Sequence, residues 1–115
     1  MKYKNTKNNY YVIYDYNTNK QIIKKKCYHI LSAYKLHNPN NEPAYELYYD
    51  LEDHVKPQLY KYYINGKLHR EDGPAWIEWD KNGNIIKQEY YLNGLKVDEL
   101  AILVNIETKK KINRL

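Results

Sequence analysis

The stretch HREDGPAWIEWD, residues 69–80, gathers the groups in this chain best suited to chemistry. A histidine, an arginine and two acids stand together ahead of Gly73-Pro74. A catalytic arrangement would use His69 as general base, Asp72 or Glu71 to orient its ring, and Arg70 to hold an anion. Imidazole titrates near neutrality and needs such a partner to act. That site also wants a nucleophile, and Ser32, the one serine, is unconnected to the motif. The structural reading treats His69, Arg70, Asp72, Gly73 and Pro74 as a turn. The Asp72 carboxylate bonds nearby backbone, Gly73 relieves the sterics, Arg70 pairs with an acid on a neighbouring strand, and His69 packs on a tyrosine.

Metal and phosphate chemistry are less well supplied. Cys27, His29, His37, His54 and His69 are the soft and borderline donors, but no Cys-x-x-Cys or His-x3-His spacing joins them into a closed zinc site. The glycines at 66, 73, 83 and 94 are isolated, so there is no Gly-rich phosphate loop. No cofactor and no metal are expected.

The elements that must position these groups come from self-similarity. Val12-Ile13-Tyr14-Asp15, Leu47-Tyr48-Tyr49-Asp50 and Ile77-Glu78-Trp79-Asp80 share a pattern of aliphatic, any, aromatic, aspartate. Each is followed by a polar turn and a return run ending in adjacent large residues, Cys27-Tyr28, Tyr62-Tyr63 and Tyr90-Tyr91. An interval of about 30 to 35 residues signals internal repeats. Alternation makes each unit a β-hairpin, with Val12 and Tyr14, Leu47 and Tyr49, and Ile77 and Trp79 on one face, and with the Trp79 ring buried between hairpins. Asn82-Gly83 marks the clearest turn, and Pro57 implies a bulge or an edge. The expected fold is mainly β: three tandem hairpins at about 10–30, 45–64 and 76–92 in an extended antiparallel sheet, one domain over 1–115. The connectors YKLHNPNNEPA (34–44) and NGKLHREDGPA (65–75) share Lys-Leu-His and Pro-Ala. A residue set that recurs in repeats serves what every repeat must do, which is turn and stack. This favours the structural reading of His69, and no enzyme activity is expected.

The run YYINGKLHREDGPAWIEWD followed by YYLNG resembles the MORN-repeat variant found in bacterial, phage and giant-virus proteins. The likeness is strong over 62–94, degraded over 34–61 and faint over 10–30. It implies hairpins laid side by side and a scaffolding or interaction role, and no activity. Asn38 stands where Arg70 stands in the second connector, and no Asp-Gly precedes Pro43, so the role of the charged residues is not expected to be preserved between units.

The tail 97–115 is a capping element. Asp98 can cap a helix, Glu99 suits its first turn and three lysines its end. Leu100, Leu103 and Val104 would then be the apolar stripe that covers the sheet, although Leu100, Ile102, Val104 and Ile106 also alternate as a strand would. Helix is favoured.

Composition bounds the partners. The net charge of +5 divides into +6 over 1–30, −4 over 31–100 and +3 over 101–115. Basic character therefore sits at the two ends. Lys24, Lys26, Lys109 and Lys111 are the candidate nucleic-acid contacts, with Lys2, Lys4 and Lys7 beside them and exposed tyrosines to stack on bases. Only two arginines, the usual readers of phosphate and base edges, are present. Tyrosines number 15 and tryptophans two, residue types that dominate binding hot spots. Tyr48 and Tyr91 are the candidate interaction surface. A non-catalytic protein-interaction or assembly module, self-association included, is the leading reading, and nucleic-acid binding through the basic termini is the alternative. No run of about 18 apolar residues exists, and no membrane partner is expected. One cysteine permits no internal disulfide, so a reducing, cytoplasmic setting is expected, which for a viral chain means host cytoplasm or virus factory.

Overall fold

The computed structural model describes residues 2–5, 10–31 and 35–113. Among them run strands β1 (Lys2–Asn5), β2 (Tyr10–Tyr16), β3 (Ile22–His29), β4 (Tyr45–Asp50), β5 (Val55–Lys61), β6 (Tyr63–Ile64), β7 (Lys67–Leu68), β8 (Trp76–Trp79), β9 (Ile85–Leu92) and β10 (Leu95–Val97), then helix α1 (Glu99–Asn113). The hairpins β2–β3, β4–β5 and β8–β9 lie side by side in sequence order. With β1 on the outer side of β2 they make seven antiparallel strands, and β10 extends the order beyond β9. β6 and β7 form a separate two-stranded hairpin inside the second connector. The fold is the mainly β array of three hairpins with a C-terminal helix that the repeats imply.

The repeats are more regular in space than in sequence. Each long hairpin carries one bulge, and each bulge leaves one extra residue on the return strand. Asp15 pairs Lys24 while Tyr16 pairs Ile22; Leu47 pairs Leu59 while Tyr48 pairs Pro57; Glu78 pairs Lys87 while Trp79 pairs Ile85. A bulge twists its strand locally, so three at one level give the sheet a uniform twist. Pro57, beside the second bulge, lies beyond the stretch of β5 that pairs β8, so its missing N–H costs no ladder bond.

This register corrects the alignment built on the three aspartates. Asp15, Leu47 and Glu78 are equivalent, as are Tyr16, Tyr48 and Trp79. The aspartates have three separate jobs. Asp15 faces Lys24 across the ladder. Asp50 accepts from Asn17 Nδ2 at 2.9 Å in the neighbouring hairpin. Asp80 caps its own loop, accepting the Asn82 and Asn84 N–H groups at 2.9 and 3.0 Å. The loop partner of Asp80 in the first hairpin is Asn17, which accepts from Asn19 and Gln21 in the same way.

Ladder partners share a face of the sheet. One face carries Val12, Tyr14, Cys27, Glu46, Tyr48, Tyr60, Ile77 and Trp79. Leu47 and Tyr49, expected there, point to the other side, because the second hairpin is offset from the aspartate pattern. Trp79 is half-buried and not enclosed; its ring meets Tyr60 edge-on at 4.9 Å, and Tyr60 meets Tyr48 at 5.9 Å. Tyr49 Oη donates to the Trp79 carbonyl at 2.9 Å.

The closely packed interior is small. Val12, Cys27 and Ala44 form its centre, with Tyr10, Tyr14, Leu36 and Tyr63 against them, and Ala75 is equally sealed. It sits at the end of the sheet where the connectors fold back. Cys27 N–H donates to the Ala44 carbonyl, and Tyr62 N–H donates to the Ala75 carbonyl, both at 2.8 Å. The two Pro-Ala pairs are therefore one structural position. Only a small side chain fits where connector and strand meet.

α1 begins as expected, with Asp98 Oδ1 accepting the Ala101 N–H at 3.0 Å. Its packed side is not the expected one. Ile102 is the buried residue, and Asn105 Nδ2 donates to the Glu71 carbonyl at 3.3 Å. Leu100, Leu103 and Val104 instead face outward, 64%, 50% and 56% exposed. A helix resting on a polar connector has little apolar surface to meet, and one isoleucine anchors it. Val97 belongs to β10, so the cap starts two residues later than expected.

Candidate functional site at the two histidine connectors

The connectors place His37 and His69 identically. His37 N–H donates to the Cys27 carbonyl at 2.8 Å, and His69 N–H to the Tyr62 carbonyl at 3.0 Å. One residue on, Asn38 N–H reaches the Tyr63 carbonyl at 3.0 Å and Arg70 N–H the Tyr91 carbonyl at 3.1 Å. Each imidazole then accepts a backbone N–H from the next unit: Asn65 to His37 Nδ1 at 3.0 Å, and Asn93 to His69 Nδ1 at 2.9 Å. The donors lead the Asn65-Gly66 and Asn93-Gly94 turns, whose four residues all have positive φ. That is the two-residue turn whose twist matches a β-hairpin. Gly66 and Gly94 also donate to the Leu36 and Leu68 carbonyls, both at 2.8 Å. Each histidine is thus a staple from one repeat to the turn of the next. Accepting at Nδ1 fixes the neutral ring with its proton on Nε2.

Arg70 does not reach a neighbouring strand. Its Nε meets Asp72 Oδ1 at 3.2 Å within the same connector, its Nη1 donates to the Pro74 carbonyl at 3.2 Å, and its guanidinium lies 4.2 Å from the Tyr62 ring centre. It is the arginine, not His69, that packs on a tyrosine. Among the described residues Asp72 bonds no backbone; its other oxygen accepts from Asn41 Nδ2 at 2.9 Å and ties the two connectors together. A Cβ at Gly73 would stand 2.9 Å from the guanidinium carbon, so any larger residue there displaces the Arg70 side chain from its bonds.

One bond of position 70 recurs in the first connector, whereas its ion pair with Asp72 does not, since Asn38 carries no charge. Asn38 Nδ2 donates to the Pro43 carbonyl at 3.3 Å, as Arg70 does to Pro74, and approaches Cys27 Sγ at 3.8 Å. Cys27 holds the place of Tyr62. A small pair, Cys27 with Asn38, and a large pair, Tyr62 with Arg70, fill the same space. The recurring Lys-Leu-His was the sequence signal for this; Asn41 carried none.

The two connectors and α1 enclose an open groove of about 520 Å³, lined by Asn38, Asn41, Tyr62, Tyr63, Arg70 and Lys110 among others. Its charges are largely spent internally. Glu71 is bonded by Lys109, which holds its carboxyl below the ordinary range, and lies 3.6 Å from His69 Nε2. His69 therefore has one nitrogen on backbone and one toward a carboxylate already neutralised by lysine. A general base needs a free lone pair, and the Nδ1 lone pair is committed.

The other sequence candidates are dispersed. Lys24 and Lys26 share a face, but Lys25 turns to the opposite one and pairs with Glu46 at 3.2 Å. Lys109 points inward to Glu71, whereas Lys111 lies beside Leu103 and Val104 on the outer side of α1. Lys7 and Ser32 fall outside the described residues. Tyr48 is half-buried, its hydroxyl bonded to Glu46 and 3.0 Å from Tyr60 Oη; burial pushes its pKa up. Tyr91 lies on the other face with its hydroxyl on Glu89 at 3.2 Å. The two tyrosines do not form one surface. His29 and His37 approach at 5.0 Å, but no cluster of three or more metal-binding side chains occurs among the described residues. Burial raises the Cys27 thiol to about 11, outweighing the opposing pull of Lys25 and of the Asn38 amide.

No family model, no curated protein and no solved structure matches the chain.

Proposed function

We propose that the chain is a non-catalytic protein-interaction or assembly module built from MORN-variant-like hairpin repeats, working in the cytoplasm, and in host cytoplasm or a virus factory where the bearer is a virus. The observation that carries this reading is the outward stripe of Leu100, Leu103 and Val104 on α1, with Leu95 71% exposed nearby in sequence. A terminal repeat cap usually presents a polar outer side, and contiguous exposed apolar surface marks a contact. The engagement of His37, His69 and Asp72 in repeat-to-repeat bonds, with Arg70 bonded inside its own connector, supports the same reading, since it accounts for the connector motif without catalysis.

The test is affinity capture from the source cell with the tagged chain and with a Leu100→Lys, Leu103→Glu chain. Both positions are exposed, so the fold should survive. A partner retained through moderately high salt and lost with the double substitution supports the module, because apolar burial is not screened. An unchanged partner set would sink it. Loss on charge reversal at Lys24, Lys26, Lys109 and Lys111, with the stripe variant normal, would transfer the function to nucleic-acid binding through the termini.

A further inference from the structure

The register sorts the lysines of the sheet. Of the seven on β3, β5, β9 and β10, six share one face: Lys24, Lys26, Lys56, Lys61, Lys87 and Lys96. Lys25 alone takes the other. Opposing carboxylates on the basic face are Asp15, Glu78 and Glu89, and each is engaged: Glu78 also accepts from Trp76 Nε1 at 2.7 Å, and Glu89 is the ladder partner of Trp76. Asp15 lies opposite Lys24, and Glu78 and Glu89 are within reach of Lys87. Lys96 and then Lys87 hold the Glu89 carboxyl down to about 2.

The middle of that face is different. Lys26, Tyr45, Lys61 and Trp76 are consecutive ladder partners across β3, β4, β5 and β8. The ammonium of Lys61 lies 4.5 Å from the Tyr45 ring centre and 5.0 Å from that of Trp76; Lys26 lies 5.9 Å from Tyr45 and Lys87 4.6 Å from Trp76. Among the described residues Lys26 and Lys61 make no ion pair, and both lie against aromatic faces. Two cations flank one ring without a carboxylate between them. Burial, and then Lys26, lower the Lys61 pKa. An anion placed between the two ammonium groups would relieve both effects.

We propose that this face binds single-stranded nucleic acid, with Lys26 and Lys61 on phosphates and Tyr45 and Trp76 stacking bases. The chemistry recommends the single strand. Flat sheets with central aromatic rings recognise unpaired bases, whose π-faces are free, whereas a duplex hides them. Lysine as a mobile point charge can swing from ring to phosphate and uncover the ring. An acidic protein segment would use the lysines but leave the two rings without a role. The site is separate from α1, so it stands or falls independently of the helix stripe. It also differs from the basic termini, sharing only Lys26 and Lys24 with them.

The experiment uses the full chain carrying Trp79→Phe, which leaves Trp76 as the sole tryptophan. Titration with an oligothymidylate of about 16 nucleotides should quench Trp76 emission saturably. The same strand annealed to its complement should bind more weakly at equal salt. Log affinity should fall linearly with log salt, and Lys26→Gln with Lys61→Gln should flatten that slope by about 1.4, two phosphates at roughly 0.7 each. Lys25→Gln, on the opposite face, should leave the slope unchanged. The proposal is overturned if the duplex binds as well as the single strand, if polyglutamate quenches Trp76 with equal affinity, or if the double variant, folded by circular dichroism, binds as tightly as the parent. The first two comparisons need neither lysine variant, so instability of the double variant does not shield the proposal.

Discussion

Removing the His37 ring is the sharpest probe of the repeat-to-repeat staple. His37→Ala deletes the acceptor of the Asn65 N–H, held at 3.0 Å in a place where His37 is only 7% exposed. Leaving that donor without a partner costs about 1–2 kcal/mol. The ring also surrenders its packing, including the His29 ring at 5.0 Å, which adds about 1–2 kcal/mol for a partly collapsible cavity. The sum is about 3 kcal/mol, or roughly 12 °C of melting temperature at about 4 °C per kcal/mol for a chain of this size. His69→Ala removes the matching bond to Asn93, but its side chain is more exposed, at 16%, and water can replace the acceptor. About 1 kcal/mol is expected there.

The pH dependence separates a staple from mere bulk. Burial, and then His29, depress the His37 pKa below 6.5. The folded chain therefore resists a proton that the unfolded chain accepts. The contribution is complete above pH 6.5 and is lost as pH falls from there through the depressed folded value. His37→Ala cannot titrate, so the stability gap between parent and variant should be widest near pH 8 and narrow toward pH 5. Urea denaturation of both chains at the two pH values reads it directly, provided the slope with urea is shared. A loss below about 1 kcal/mol at pH 8, or a gap that stays constant on acidification, would refute the staple.

Two further outcomes follow from the packing. Gly73→Ala should cost about 1–2 kcal/mol in the parent and close to nothing in an Arg70→Ala background, because its Cβ would meet the guanidinium at 2.9 Å; additive losses in a double-mutant cycle would disprove that contact. The Cys27 thiol, sealed and raised to about 11, should resist iodoacetamide at pH 8 until the chain unfolds, and modification faster than global unfolding would contradict its burial.

The hairpins were legible because alternation and the paired large residues are one-dimensional signals. Cys27-Tyr28, Tyr62-Tyr63 and Tyr90-Tyr91 do occupy equivalent positions, as the matching bonds from Cys27 to Ala44 and from Tyr62 to Ala75 establish for the first two pairs. The aspartate pattern misled because it mixed a strand residue with a loop cap. Asp80 resembles Asp15 in sequence, yet the residue that does its work in the first hairpin is Asn17. An oxygen that accepts two backbone N–H groups can come from Asn or Asp, so the equivalence is chemical and invisible to a match of letters. The bulges hid it further, since an extra residue on each return strand shifts the count between ladder and loop.

The same argument explains the connector motif. Repeats stack when each unit supplies the same bonds to the next, and a bond constrains donor and acceptor more than residue type. His37 and His69 are identical because Nδ1 at that distance from a turn N–H is hard to replace. Asn38 and Arg70 differ because each must satisfy a proline carbonyl across a different neighbour: the Cys27 thiol in one unit, the Tyr62 ring in the other. Arginine at position 38 would have to fit beside the sealed Cys27, and asparagine at position 70 would leave the Tyr62 face uncovered. The two substitutions are coupled through one volume. A charged motif present in one connector and missing from the other can therefore mark a size exchange inside a conserved geometry, and that is how the histidine, arginine and acids of residues 69–72 are used here.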